Sequence, residues 1–248
     1  MKEIQIRKND AGQRLDRFVG KAVPLLPESL LQKYIRLKRI KRNGKGAKRD
    51  VRLVEGDVLQ LYINDEFFER PTEENAWLKI ATPRLDIVYE DENILLADKK
   101  PGVLCHSAGE WSWDTLISNI QAYLRQSGEW DPKAENAFTP ALCNRIDRNT
   151  GGIVIAAKNA EALRVLNDKI RDREIDKAYL CVVCGRPKPA EGRLEGYLFK
   201  DAVKNQVYVT KKPQPGAKSA ATEYRTLQSR RGLSLVECRL LTGRTHQI

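Results

Sequence analysis

Asn144-Arg145-Ile146-Asp147-Arg148-Asn149-Thr150-Gly151-Gly152, followed by the apolar run Ile153 to Ala157, is the stretch on which the fold turns. The apolar run, opened by a Gly-Gly turn, reads as a buried strand. A buried strand rarely starts from so polar a segment unless a site is being built there. The turn can present Asp147 at the end of a sheet, and Arg145 and Arg148 on either side favour its ionised form and can hold phosphates. An ionised aspartate in a basic cleft points to a nucleophile or a base acting on an anionic polymer.

Downstream of that strand, Asn159 is placed to cap a helix whose Ala162, Leu163, Leu166 and Ile170 face a core. Strand patterns follow at Tyr179 to Val183 and Leu233 to Leu241. Upstream, Leu85 to Lys99 reads as two strands joined by an acidic turn, Pro101-Gly102 ends the second, and Trp113 to Leu124 is helical. Strands and helices without regular alternation predict an α+β architecture.

The first seventy residues form a unit of their own, with 17 Lys+Arg against 10 Asp+Glu. Leu15, Phe18, Val19 and Ala22 recur at helical spacing, and Pro24 and Pro27 end that helix. A second amphipathic pattern runs through Leu30, Leu31, Tyr34, Ile35 and Leu37. Asn43-Gly44 signals a tight turn, and Val58 to Ile63 alternates as a strand. Nine basic residues and no acidic one lie between Lys33 and Arg49. Lys33, Arg36, Lys38, Arg39, Lys41 and Arg42 are therefore candidates to track a phosphate backbone. The organisation expected is 1–70 as a small α/β domain, 71–84 as a linker, and 85–248 as a larger domain that carries the Asp147 stretch.

The whole chain, 248 residues with a net charge of +11 and a pI near 9.4, favours an acidic partner, most often nucleic acid. No apolar run approaches the length of a membrane span, and the N-terminus reads as a strand and lacks the apolar region of a signal peptide. The expectation is a cytoplasmic monomer. Five scattered cysteines fit reduced thiols. Cys181-Val182-Val183-Cys184 has metal-ligand spacing, but only His106 and His246 could complete a set, so no metal is expected. Both histidines read as hydrogen-bonded structural residues, with His246 placed to order the loop of Arg244. Lys99 and Lys100 read equally as RNA contacts or as a solvated turn.

The N-terminal pattern resembles the small RNA-binding domain named after small-subunit ribosomal protein S-four, on Arg14-Leu15-Asp16-Arg17-Phe18 and Glu55-Gly56-Asp57. From Leu85 to Ile248 the chain resembles the RluA-type RNA pseudouridine synthases. Four segments match in order: Asp98-Lys99-Lys100-Pro101-Gly102, Arg145 to Gly152, Asp176-Lys177-Ala178-Tyr179, and Leu241 to Ile248. That resemblance implies a catalytic domain with a mixed, largely antiparallel sheet, acting without a cofactor on ribosomal or transfer RNA. It implies Asp147 as nucleophile, Arg244 as its cationic partner, and Tyr179 as the platform for the extruded base and a relay for its C5 proton. Arg145 and Arg148 would hold phosphates around the flipped nucleotide.

Two departures stand out. Many members carry His and Ser where this chain has Asn144 and Gly151. The match also stops at Ile248, inside the last motif, so the catalytic domain is expected to be cut short at its C-terminus, with an unpaired sheet edge. A non-catalytic RNA-binding protein that kept the fold is the alternative reading. A glycosidase is a weaker third, since it requires a second carboxylate that no motif places.

Overall fold

The computed structural model describes residues 1–68, 77, 80–107, 114–201 and 206–248. The expected linker lies largely outside them, as does Trp113. The chain forms two compact units, Met1–Asn167 and Asp168–Ile248.

The first unit begins with β1 (Lys2–Gln5), α1 (Leu15–Ala22), α2 (Glu28–Arg36), β2 (Ile40–Arg42), β3 (Lys45–Gly46) and β4 (Val58–Leu61). Its sheet runs β1-β4-β2-β3, all antiparallel. In α1 the apolar residues fall at i, i+3 and i+4, which puts Leu15, Phe18 and Val19 on one buried face. Helix α2 does the same with Leu31, Tyr34 and Ile35. Asn43 and Gly44 both adopt positive φ, +50° and +79°, as the two-residue hairpin between β2 and β3 requires. Asp57 braces that hairpin. It accepts from Asn43 Nδ2 at 2.8 Å and from the Val54 N–H at 2.7 Å, and lies 2.6 Å from Arg42 Nε.

The same unit continues with β5 (Ile87–Glu90), β6 (Ile94–Lys99), α3 (Leu116–Gln126), β7 (Ala141–Leu142) and β8 (Gly152–Ala157). These strands form a second antiparallel sheet in the order β5-β6-β8-β7. The Ile153–Ala157 run is thus an inner strand, and its Val154, Ala156 and Ala157 are fully buried. Thr115 caps α3 through a capping box with Ser118, so the helix starts at Leu116, three residues later than expected from the sequence. Asn159 caps α4 (Ala160–Arg171) as predicted, its Oδ1 accepting from the Ala162 N–H at 2.8 Å. Ala162 is buried, while Leu163, Leu166 and Ile170 are half-buried.

The N-terminal elements are fastened to the second sheet's connections within this unit. Asn136 Nδ2 donates to Asp10 Oδ2 at 2.7 Å and to the Gln5 carbonyl at 2.9 Å. Asn9 Nδ2 donates to Glu135 Oε1 at 2.7 Å, and its Oδ1 accepts from the Ala160 N–H at 3.3 Å.

The second unit contains β9 (Ala178–Cys184), β10 (Glu191–Asp201), β11 (Gln206–Thr210), β12 (Lys218–Arg230) and β13 (Leu233–Leu240). They form one antiparallel sheet ordered β11-β10-β12-β13-β9, so β9 is an edge. Residues Gly192, Tyr224, Cys238 and Tyr179 line up in one row across β10, β12, β13 and β9. On the opposite face of β9, Leu180 and Val182 are 66% and 65% exposed. Strands β10, β11 and β12 have no counterpart in the sequence-based expectation.

Candidate active site

Asp147 sits in the loop between β7 and β8, and the chain on both sides of it is tied down. Ahead of it, Asn144 Oδ1 accepts from the Ile155 N–H and the Cys143 N–H donates to the Ile155 carbonyl, both at 2.8 Å. The buried Cys105 thiol donates to the Ile146 carbonyl at 3.4 Å. After it, the Arg148 carbonyl accepts from the Gly102 N–H at 2.8 Å and from Lys99 Nζ at 3.0 Å. Asp147 itself is half-buried, and its carbonyl accepts from the Thr150 N–H at 3.1 Å. A side chain carried on a peptide fixed at both ends is pre-organised rather than free to sweep.

Lys99 is the centre of this clamp. It is 1% exposed, and its ammonium also donates to the Val103 and Lys100 carbonyls at 2.8 and 3.1 Å. Burial lowers its pKa, while the Cys105 and Asp147 side chains act in the other direction. The expectation of a solvated turn or an RNA contact fails for Lys99. Its carbonyl partners all face inward, and an ammonium that satisfies its three donors can be buried. Lys100 does point out, bridging Asp86 and Asp98 at 2.8 Å each.

Gly151, one departure from the motif, packs against Pro101. A Cβ there would stand 3.1 Å from Pro101 Cδ and 3.3 Å from Pro101 Cγ, tighter than ordinary contact. A serine at 151 would thus need the proline ring to give by a few tenths of an ångström. Asn144 is hydrogen-bonded through both side-chain atoms, to the Ile155 N–H and the Ile153 carbonyl. Arg145 and Arg148 are exposed on either side of Asp147, and Arg148 Nε donates to the Gly102 carbonyl at 3.1 Å. Partial desolvation and the Arg145 guanidinium together pull the His106 pKa below its ordinary value.

Tyr179 and Arg244 belong to the second unit. Tyr179 is half-buried on β9, directly across from Cys238. Arg244 follows β13 in a turn beside the start of β12, where its Nε donates to the Ser219 carbonyl at 2.9 Å. Lys177, two residues before Tyr179, places Nζ 3.5 Å from where a Cβ on Gly243 would stand, so the Arg244 turn lies by the end of β9 that precedes Tyr179. His246 takes a positive φ of 54°, and Gln247, a residue the sequence reading passed over, bonds the turn to β12 through its side chain. Cys181 and Cys184 alternate onto opposite faces of β9, so the pair cannot converge on one ion. Cys181 Sγ lies instead 3.7 Å from Cys238 Sγ. Among the described residues no group of three or more His, Cys, Asp or Glu is placed to hold a metal.

The basic stretch forms a second feature in the first unit. A groove of about 580 Å³ is lined by Arg36, Lys38, Lys48 and Arg49 together with Gln32, Ile35, Gly46, Ala47 and Asp50. Lys33 is exposed on the last turn of α2. Arg39 lies over the Tyr34 ring at 4.7 Å and Lys41 over the Tyr62 ring at 5.2 Å, both partly solvated. Arg42 is held by Asp57, which ties its charge to the hairpin.

A carboxylate on a loop clamped at both ends, at the head of an inner strand in an α+β fold, is the core of the candidate site. The chain belongs to the RNA pseudouridine synthase family: the sequence model described as RNA pseudouridylate synthase matches residues 93–248. It is similar to an uncharacterised RNA pseudouridine synthase of Mycoplasma genitalium, 32% identical over 98% of this chain and 75% of that protein. It is also similar to the ribosomal large subunit pseudouridine synthase C of Escherichia coli, 27% identical over all of this chain and 74% of that protein. Among solved structures, the human RNA pseudouridylate synthase domain containing 4 shares the fold, with a TM-score of 0.52 at 21% identity over 70% of this chain and 65% of that one. Family members are isomerases of RNA. Among the described residues no helix is long and apolar enough to cross a membrane.

Proposed function

We propose that the protein converts uridine to pseudouridine in structured ribosomal RNA, with Asp147 as nucleophile. The target base is extruded from its stack at a cost of a few kcal/mol, part of which stacking on Tyr179 offsets. The Asp147 carboxylate attacks the nucleotide, the C1′–N1 bond breaks, and the uracil turns over. C1′ then bonds to C5 as the bond to the Asp147 carboxylate breaks and frees the nucleophile, the C5 proton leaves by way of Tyr179, and N1 takes up a proton, so the net change is an isomerisation. Arg244 pairs with the carboxylate and orients it. Arg145 and Arg148 hold the phosphates flanking the flipped nucleotide.

Residues 1–70 act as an RNA-binding domain, followed by a linker over 71–84 and the catalytic domain from 85. Lys33, Arg36, Lys38, Arg39 and Lys41 track the phosphate backbone along the basic groove, and Arg42 braces the hairpin that presents them. The protein works as a cytoplasmic monomer. The observation that carries the reading is the clamp on Asp147, because fixing both flanking carbonyls is what a nucleophile in a near-attack position requires. The names of the ribosomal relatives favour ribosomal over transfer RNA as the substrate.

The test is pseudouridine mapping with Asp147→Ala and Asp147→Asn. Turnover is expected to vanish while RNA affinity stays within about threefold, since the aspartate contributes chemistry rather than phosphate contact. An undiminished yield from either variant would sink the assignment. Mapping total RNA from cells with and without the protein names the target, and modified transfer RNA alone would refute the ribosomal part.

A further inference from the structure

We propose that Gln247 is the positioning residue of Arg244, fixing the guanidinium for its carboxylate partner. This rests on the role given to Arg244 above.

A glutamine amide has two donor hydrogens and two acceptor lone pairs, and here all four are engaged. Oε1 accepts from the Arg244 N–H at 3.0 Å and from Thr242 Oγ1 at 2.9 Å. Nε2 donates to the Ala221 carbonyl at 3.0 Å and to Thr222 Oγ1 at 2.9 Å. The Gln247 main-chain N–H also donates to the Arg244 carbonyl at 3.2 Å. Arg244 is thus held at both of its own peptide groups by one residue. Through that residue it is anchored to β12, a strand paired on both sides within its sheet.

The remaining bonds around the turn agree. Thr242 Oγ1, while donating to Gln247, accepts from the Ala221 N–H at 3.0 Å, so the hydroxyl is polarised in one sense along the chain of bonds. The Arg244 Nε–Ser219 bond fixes the inner end of the guanidinium plane on the same strand. His246, at φ +54°, turns the chain so that Gln247 folds back over residues 242 to 244. With Nε committed to Ser219, it is the Nη pair that Arg244 would offer to a carboxylate. Where that pair stands depends on the backbone position that Gln247 sets. A displacement of about 1 Å at such a site costs on the order of 100-fold in rate.

The experiment compares Gln247→Leu and Gln247→Glu with Arg244→Ala and the Gln247→Leu/Arg244→Ala double variant. All are made in the full chain and assayed with enzyme in excess over the RNA so that residual rates are readable. Gln247→Leu deletes all four side-chain bonds. Gln247→Glu keeps the acceptors for Arg244 and Thr242, which protects the turn if the leucine variant unfolds. The expected result is a fall in kcat of about 10- to 100-fold for Gln247→Leu with KM within twofold, and a smaller fall for Gln247→Glu. In the Arg244→Ala background the leucine substitution is expected to change the rate by less than about twofold, because a residue that acts only through Arg244 has nothing left to position. Wild-type kcat in either folded Gln247 variant, or effects that multiply in the double variant, would overturn the proposal. If Arg244→Ala itself retains full rate, the failure lies in the role assigned to Arg244.

Discussion

Replacing Lys99 with methionine separates the two things its ammonium does. Methionine keeps most of the buried stem and removes the charge and its three donors. Of the three carbonyls concerned, Arg148 still receives the Gly102 N–H and Lys100 still receives the Val103 N–H. The Val103 carbonyl loses the bond from Lys99. One buried acceptor stripped of such a bond costs about 1–3 kcal/mol, and release of a desolvated cation offsets part of it. The expected loss of stability is about 2 kcal/mol, small enough for a domain with about 5–15 kcal/mol in hand to remain folded.

The rate should respond far more. Lys99 ties the peptide after Asp147 to the end of β6, and its charge lies within electrostatic reach of the Asp147 carboxylate. Losing the tie lets the loop shift by a fraction of an ångström to about 1 Å, and the attraction between the Lys99 charge and the Asp147 side chain is lost. Together these predict a fall in kcat of about 100-fold. Chemical denaturation of the purified variant measures the first quantity and single-turnover pseudouridine formation the second. A folded Lys99→Met protein with wild-type kcat would refute the reasoning, and so would a stability loss with the rate unchanged. Lys99→Arg is expected to fare no better, because a pocket lined by three carbonyls at 2.8–3.1 Å has no room for the larger, planar guanidinium.

Two further perturbations test the scaffold. At Asp57, burial pushes the carboxyl pKa up, but hydrogen bonds from Val54, Arg42 and Asn43 outweigh it and hold the pKa below the ordinary aspartate value. A lowered folded-state pKa means this stabilisation is present above the unfolded-state pKa of about 3.9 and is lost as pH falls through the folded-state value. Asp57→Asn should therefore cost about 1–3 kcal/mol at pH 7 in thermal or denaturant unfolding, with the difference shrinking below about pH 4; a constant difference across that range would contradict the linkage. At Gly151, substitution by alanine or serine should cost about 1–2 kcal/mol through the contact with Pro101, and Pro101→Ala should recover most of it in the double variant. Additive losses in denaturation would show that the ring is not the obstacle.

What could be read in advance follows from where the determining interactions lie in the chain. Helices α1, α2 and α4 were legible because each buries one face, and a period of 3.6 records that directly in the sequence. Strand β8 was legible because an inner strand must be apolar on both faces. Strands β10 and β12 carry no such record. Their outward face holds Glu191, Arg225 and Glu237 in one cross-strand row and Arg193, Glu223 and Arg239 in the next, and Arg225 Nη2 lies 2.9 Å from Glu237 Oε2. Alternating charges on partners distant in sequence stabilise such a face, and hydropathy along a single strand does not register them.

The same distinction separates the candidate site residues from the groups that position them. Asp147 stands out because a carboxylate between two guanidiniums at a strand's head is a local arrangement. Lys99 and Gln247 act on backbone atoms, and their partners Arg148 and Ala221 lie 49 and 26 residues away in the chain. Nothing in the side chains of those partners advertises the bond, because only their carbonyls take part. A lysine beside Pro-Gly is ordinarily solvated, so composition argues against burying it, and only the convergence of three carbonyls reverses that preference. Gly151 has the same character: it is constrained by the Pro101 ring, which an adjacent strand brings alongside. In this family fold the chemistry is written locally and its positioning is written across strands. Substitutions at Lys99, Gln247 or the Pro101–Gly151 contact should thus impair catalysis while leaving Asp147, Tyr179 and Arg244 themselves intact.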